Sequence, residues 1–63
     1  MLPHQQRVVD EKSQLDEKLE KLNGFFSTDT FKGLNADEQF RLKMQSLFMS
    51  GYSSTLKERI ENF

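Results

Sequence analysis

Residues 35–63, NADEQFRLKMQSLFMSGYSSTLKERIENF, decide the fold. The stretch has no proline, opens on a capping residue and carries apolar residues at nearly every turn. Its spacing predicts one long helix over about 36–62. Asn35 precedes Glu38 by three residues, as in a capping box, and Asp37 adds negative charge where the helix dipole favours it. Asp37 and Arg41 are spaced as an i,i+4 ion pair. Such a helix runs ~40 Å at ~1.5 Å per residue. Its weak point is Ser50-Gly51, because a mid-helix glycine costs ~1 kcal/mol against alanine. Gly51 reads as a small residue that lets another helix approach closely, with a helix break there as the alternative.

The apolar residues of this helix do not fall on one stripe. Phe40, Met44, Leu47 and Gly51 form one line. Phe48 or Met49, Tyr52, Leu56, Ile60 and Phe63 form another. Working outward, the preceding helix should run over about 3–24, with Pro3 in its first turn, where the missing N–H costs nothing. Leu15, Leu19, Leu22 and Phe26 give it a single narrow seam of the coiled-coil kind, and Lys12 fills the seam position between Val8 and Leu15. Glu17 and Lys21 are spaced as an i,i+4 pair on its outer side. Asn23-Gly24 is the expected stop, with continuation to Phe26 as the alternative.

Between the helices, Ser27, Thr28 and Asp29 are capping residues and Gly33 a terminator, so one short helical turn is expected at 28–32. Phe25, Phe26, Phe31 and Leu34 are too apolar for a free loop and should plug the closed end. The fold class is therefore all-α: an antiparallel two-helix hairpin forming a single domain over 1–63. One narrow seam covers only one of the two apolar lines. The uncovered line marks an association surface, since a large side chain is worth ~1.5–3 kcal/mol on full burial. The hairpin is thus expected to assemble into a homo-oligomeric helical bundle, with Phe40, Met44, Leu47, Phe48, Tyr52, Leu56, Ile60 and Phe63 as the interface.

Bulk composition agrees. A chain of 63 residues buries only ~60% of its unfolded surface and needs outside help. With no cysteine and one histidine, His4, disulfides, thiolate metal sites and multi-histidine sites within a chain are excluded, which leaves association. Nine basic residues against ten acidic ones argue against duplex nucleic acid, which rewards a basic surplus. No apolar run approaches the ~20 residues of a membrane span and no leader pattern is present, so a cytoplasmic protein is expected.

Catalytic groups are sparse. His4, Arg7 and Glu11 share a face, and Tyr52, Ser53 and Ser54 are the hydroxyls within reach in an antiparallel hairpin. No rigid, water-excluding scaffold accompanies them, so no enzyme is expected. Asp16 and Glu20 are spaced to share a cation, but no Glu-x-x-His accompanies them, so no metal or cofactor is expected. Three fixed cations, an aromatic ring and several amides are expected together at the open end. His4, Arg7, Tyr52, Ser53, Lys57 and Arg59 are accordingly the candidate contacts for an anionic small molecule, at pockets repeated between subunits. The plainer reading is a salt-bridged surface with Glu11, Glu58 and Glu61.

The ends of the chain resemble a widespread group of short phage proteins. The resemblance lies in Pro3-His4-Gln5-Gln6-Arg7-Val8-Val9-Asp10-Glu11-Lys12 and Leu15-Asp16-Glu17-Lys18-Leu19. It returns in Tyr52-Ser53, Leu56 and Glu58-Arg59-Ile60, and more loosely in Phe31, Leu34, Glu38, Arg41-Leu42 and Gln45. It implies a phage accessory protein acting in the bacterial cytoplasm. In length and helix layout the chain is also similar to the phage anti-CBASS and anti-Thoeris sponges, oligomers that sequester cyclic nucleotide immune signals without cleaving them. This likeness implies an anti-defence protein whose partners are its own copies and a cyclic nucleotide or ADP-ribose-type signal. The Ala-Asn-Ala of those sponges is absent here, so none of their binding residues is carried over. The alternative is a protein-binding module that inhibits or adapts a host or phage protein through the surplus apolar face.

Overall fold

Helix propensity and capping set the elements seen in the computed structural model, which describes all 63 residues. Helix α1 spans Pro3–Phe25, α2 spans Asp29–Lys32 and α3 spans Ala36–Glu61. α1 and α3 lie antiparallel against each other in a rod of 46 × 14 × 13 Å, measured on Cα atoms. No strand is present.

Each boundary has a local cause. The Leu2 N–H donates to Gln5 Oε1 at 3.0 Å, and Pro3 occupies the first helical position. α1 runs through Gly24 rather than stopping at it, and no glycine in the chain adopts a positive φ. The stop is made instead by two hydroxyls: Ser27 Oγ donates to the Gly24 carbonyl at 3.0 Å and Thr28 Oγ1 to that of Phe25 at 2.7 Å. Thr28 then turns its oxygen to α2, accepting from the Phe31 N–H at 3.2 Å. Asn35 caps α3, its Oδ1 accepting from the Glu38 N–H at 2.8 Å. Arg41 pairs with Glu38 at 3.5 Å, not with Asp37, because i,i+3 reaches as readily as i,i+4. The Glu17–Lys21 ion pair does not form; both side chains are exposed, where such a pair gains little over water.

The closed end is a plug of aromatic rings. Phe31 of α2 is buried, with its ring centroid 5.9 Å from Phe25, edge-on, and 5.0 Å from Phe26. Lys43 Nζ lies 5.8 Å from the Phe31 centroid on the α3 side. The Gln39 amide fans over the carbonyls of Phe31, Lys32 and Leu34 at 3.1, 3.3 and 3.0 Å, satisfying the end of α2.

The seam between the long helices follows a heptad. On α1 it comprises Gln5, Val8, Lys12, Leu15, Leu19 and Leu22, as the spacing predicted from Val8 onward. On α3 it comprises Gln39, Leu42, Ser46, Met49, Ser53, Leu56 and Ile60. Leu56, expected in the interface between copies, is 1% exposed inside the hairpin. It is covered within the hairpin and offers nothing to a second molecule. Ile60 is likewise partly covered by α1. The covered line thus joins Leu56 and Ile60 to Leu42 and Met49 through two serines, and Phe48 and Tyr52 fall outside it.

Candidate functional site

Helical phase splits the six residues expected to hold a ligand. Ser53 Oγ donates to Asp16 Oδ1 at 2.5 Å and accepts from Lys12 Nζ at 3.2 Å. Ser53 is therefore level with Asp16, twelve residues beyond His4, or ~18 Å along the axis at ~1.5 Å per residue. Tyr52 shares that level. His4 and Arg7 stand exposed at the open end, with Arg59 and Lys57 between the two levels. Lys57 and Arg59 are two residues apart, hence about 200° apart around α3. Lys57 Nζ is 3.9 Å from Glu61, whereas Arg7 and Arg59 form no ion pair within the chain. One hairpin does not gather these cations into a pocket.

The one concavity lies along α1 beside the seam. Lys12, Ser13, Asp16, Glu17 and Glu20 line it, with Val9 and Ile60. Three carboxylates against one ammonium give it the wrong sign for an anion, and none of the six expected residues borders it. Lys12 and Asp16 belong to its lining, and Ser53 bonds to both from α3 without bordering it. Lys12 Nζ is 2.6 Å from Asp16 Oδ2, so the carboxylate accepts from both helices. Those bonds, from Lys12 first and Ser53 second, hold the Asp16 carboxyl below the ordinary carboxylate range. Asp16 is thereby committed to Lys12 rather than to sharing a cation with Glu20. A second polar bridge, Ser46 Oγ donating to Asn23 Oδ1 at 2.6 Å, crosses the seam nearer the closed end. Sequence reasoning placed Lys12 in the seam but missed its partners. A lysine at a seam position, one turn before an aspartate, was the available signal.

The most conspicuous surface is the outward face of α3. Phe40, Leu47 and Phe48 are 64%, 63% and 68% exposed, and Met44 is half-covered between them. Tyr52 and Phe63 are also exposed, toward one flank. Gly51 continues the row of Phe40, Met44 and Leu47, and a Cβ built on it meets nothing within 4 Å. Its smallness therefore serves no contact inside the hairpin. No helix is long and apolar enough to cross a membrane, so this face is not part of a helical span.

The structure is thus an all-helical hairpin with a thin internal seam and a bare apolar face on its longer helix. The sequence comparisons name the family. The Sequestin family's profile matches residues 2–62, and the chain belongs to that family. A relative in Enterobacteria phage T4, an uncharacterized 7.5 kDa protein of the denB–rIIB intergenic region, is 36% identical over 63 residues. The alignment covers 100% of this chain and 98% of the relative. The family is one of small phage accessory proteins. No solved structure matches the chain.

Proposed function

We propose that the chain is a non-catalytic anti-defence protein that assembles from several copies and sequesters an anionic, nucleotide-like immune signalling molecule. The family name, Sequestin, points to sequestration as the activity. The observation that carries the anionic specificity is the state of the three arginines. Arg41, near the closed end, is paired with Glu38, whereas Arg7 and Arg59, toward the open end, carry free guanidiniums. A planar guanidinium without a carboxylate partner is suited to bidentate capture of a phosphate. His4 and Lys57 add donors nearby, and Tyr52 offers a face on which a base can stack. These groups are too dispersed in one hairpin to surround a ligand, so the pocket is built where copies meet.

Titration calorimetry against cyclic dinucleotides, cyclic trinucleotides and ADP-ribose derivatives tests the reading. One class should bind, binding should drop at least ~10-fold in R7E and R59E, and the ligand should be recovered intact on denaturation. Heatless titrations throughout, or a cleaved product, would sink it.

A second reading rests on the exposed row of Phe40, Leu47 and Phe48. That row equally fits a groove on another protein, making the chain an inhibitor or adaptor of a host or phage protein. Light scattering separates the two. A stable folded monomer supports the adaptor and removes the shared pocket.

A further inference from the structure

Gly51 lies in an unbroken helix, exposed, with open space where its side chain would be. Inside the hairpin alanine would fit at this position and favour the helix more. The row it continues is spaced four, three and four: Phe40, Met44, Leu47, Gly51. That spacing is a second coiled-coil seam on the side of α3 away from α1, with its largest member at one end and its smallest at the other.

We propose that this row is the self-association seam, two copies pairing antiparallel through α3 with Phe40 of each seated over Gly51 of the other. The inference rests on the assembly proposed above and adds its face, orientation and register. In an antiparallel pair, this register produces four layers. Phe40 meets Gly51 of the second copy, Met44 meets its Leu47, and the remaining two repeat these by symmetry. Large faces small at both ends, and the two middle layers match in size. A parallel pair would set Phe40 against Phe40 and leave a gap at Gly51 against Gly51. On the flank, Arg41 comes beside Tyr52 of the second copy, a cation against an aromatic face.

The area argues for a second copy as the occupant. At ~200 Å² per large side chain, the exposed fractions of Phe40, Leu47, Phe48 and Tyr52 leave roughly 500 Å² bare. A standard interface buries ~800 Å² per partner, so this outer apolar face supplies over half of one and its polar rim the rest. Only three residues of 63 are buried within the hairpin, Val8, Phe31 and Leu56. A chain with so small a core needs its cover present from the moment it folds, which a second copy supplies at every concentration of other partners.

Gly51 makes the test one of opposite signs. If the face is free, G51A raises Tm and leaves the mass in solution unchanged. If Phe40 of a second copy sits there, G51A lowers Tm and G51L dissociates the pair at least ~10-fold at equal protein concentration. The F40A/G51L variant, which exchanges large for small, should restore both mass and helicity. That rescue holds even where G51L alone fails to fold. Light scattering and circular dichroism read each result. An unchanged mass in G51L, a raised Tm in G51A, or a wild-type monomer at micromolar concentration overturns the proposal. Calorimetry on the same samples keeps the two readings apart. Ligand binding with G51L mass unchanged removes only this register. A G51-dependent pair that binds no nucleotide removes only the sequestering function.

Discussion

The two faces of α3 differ in the opposite sense from an ordinary surface helix. The inner face, covered by α1, contains Gln39, Ser46 and Ser53 among its seam residues, and its one fully buried side chain is Leu56. The outer face contains Phe40, Met44, Leu47 and Phe48. The larger hydrophobes are on the side that a single chain leaves in water. Burial is therefore completed within the hairpin on one face and left incomplete on the other. The inner face relies more on direction: two hydrogen-bonded bridges and a heptad phase fix how α1 and α3 meet.

Breaking the inner face should have the larger effect. Leu56→Ala removes the most buried side chain and should cost ~2–5 kcal/mol, which in a chain of this size means a largely unfolded protein at 25 °C. Circular dichroism would show it at all concentrations. A cooperative melt near the wild-type Tm would show that the inner seam is not what holds the hairpin. Leu47→Glu attacks the outer face instead. Withdrawing a burial worth ~1.5–3 kcal/mol per chain should weaken association by at least ~10-fold. Sedimentation or light scattering should find the lighter species, and the wild-type dependence of Tm on concentration should disappear. If both variants only lower Tm, by the same amount at every concentration, the two faces do not have separate roles.

The smallest effect sharpens the inner face. Ser53→Ala removes one donor to the Asp16 carboxylate, so the Asp16 titration should move up toward the ordinary aspartate value, as read by carboxyl NMR. The sign follows from the lowered folded-state pKa. The contribution of Asp16 to stability is present above the ordinary aspartate value and is lost as pH falls through the depressed one. Asp16→Asn should flatten the acid limb of stability over that window, and an unmoved titration in Ser53→Ala would disconnect Asp16 from α3.

Much of this architecture was legible from spacing. The extents of both long helices, the short turn between them, the Asn35 cap and the α1 seam with Lys12 in it all follow from residue order. The aromatic plug was legible too, because Phe25, Phe26 and Phe31 have no other way out of water. The partition of α3 was not. Ser46 and Ser53 occupy seam positions, and a pattern that counts only apolar residues skips them. Leu56 and Ile60 were thereby assigned to the line containing Tyr52. The same omission placed Ser53 and Tyr52 at the open end, although Asp16 holds that part of α3 well inside the rod. The Ser53 hydrogen bond that ties Asp16 to α3 is invisible along α1, where spacing alone sets Asp16 beside Glu20.

The two polar bridges have a consequence for how such a chain can change length. Asn23 with Ser46 and Asp16 with Ser53 are separated by seven residues on each helix. They are evenly spaced notches, and a slide by one notch would set Asp16 against Ser46 with no change of phase. The bridges alone therefore do not choose a register. Phe31, wedged on Phe25 and Phe26, does so by acting as the end stop. A chain built in this way can lengthen or shorten in matched steps of one notch while its closed end stays the same, and the outer row grows or shrinks with it.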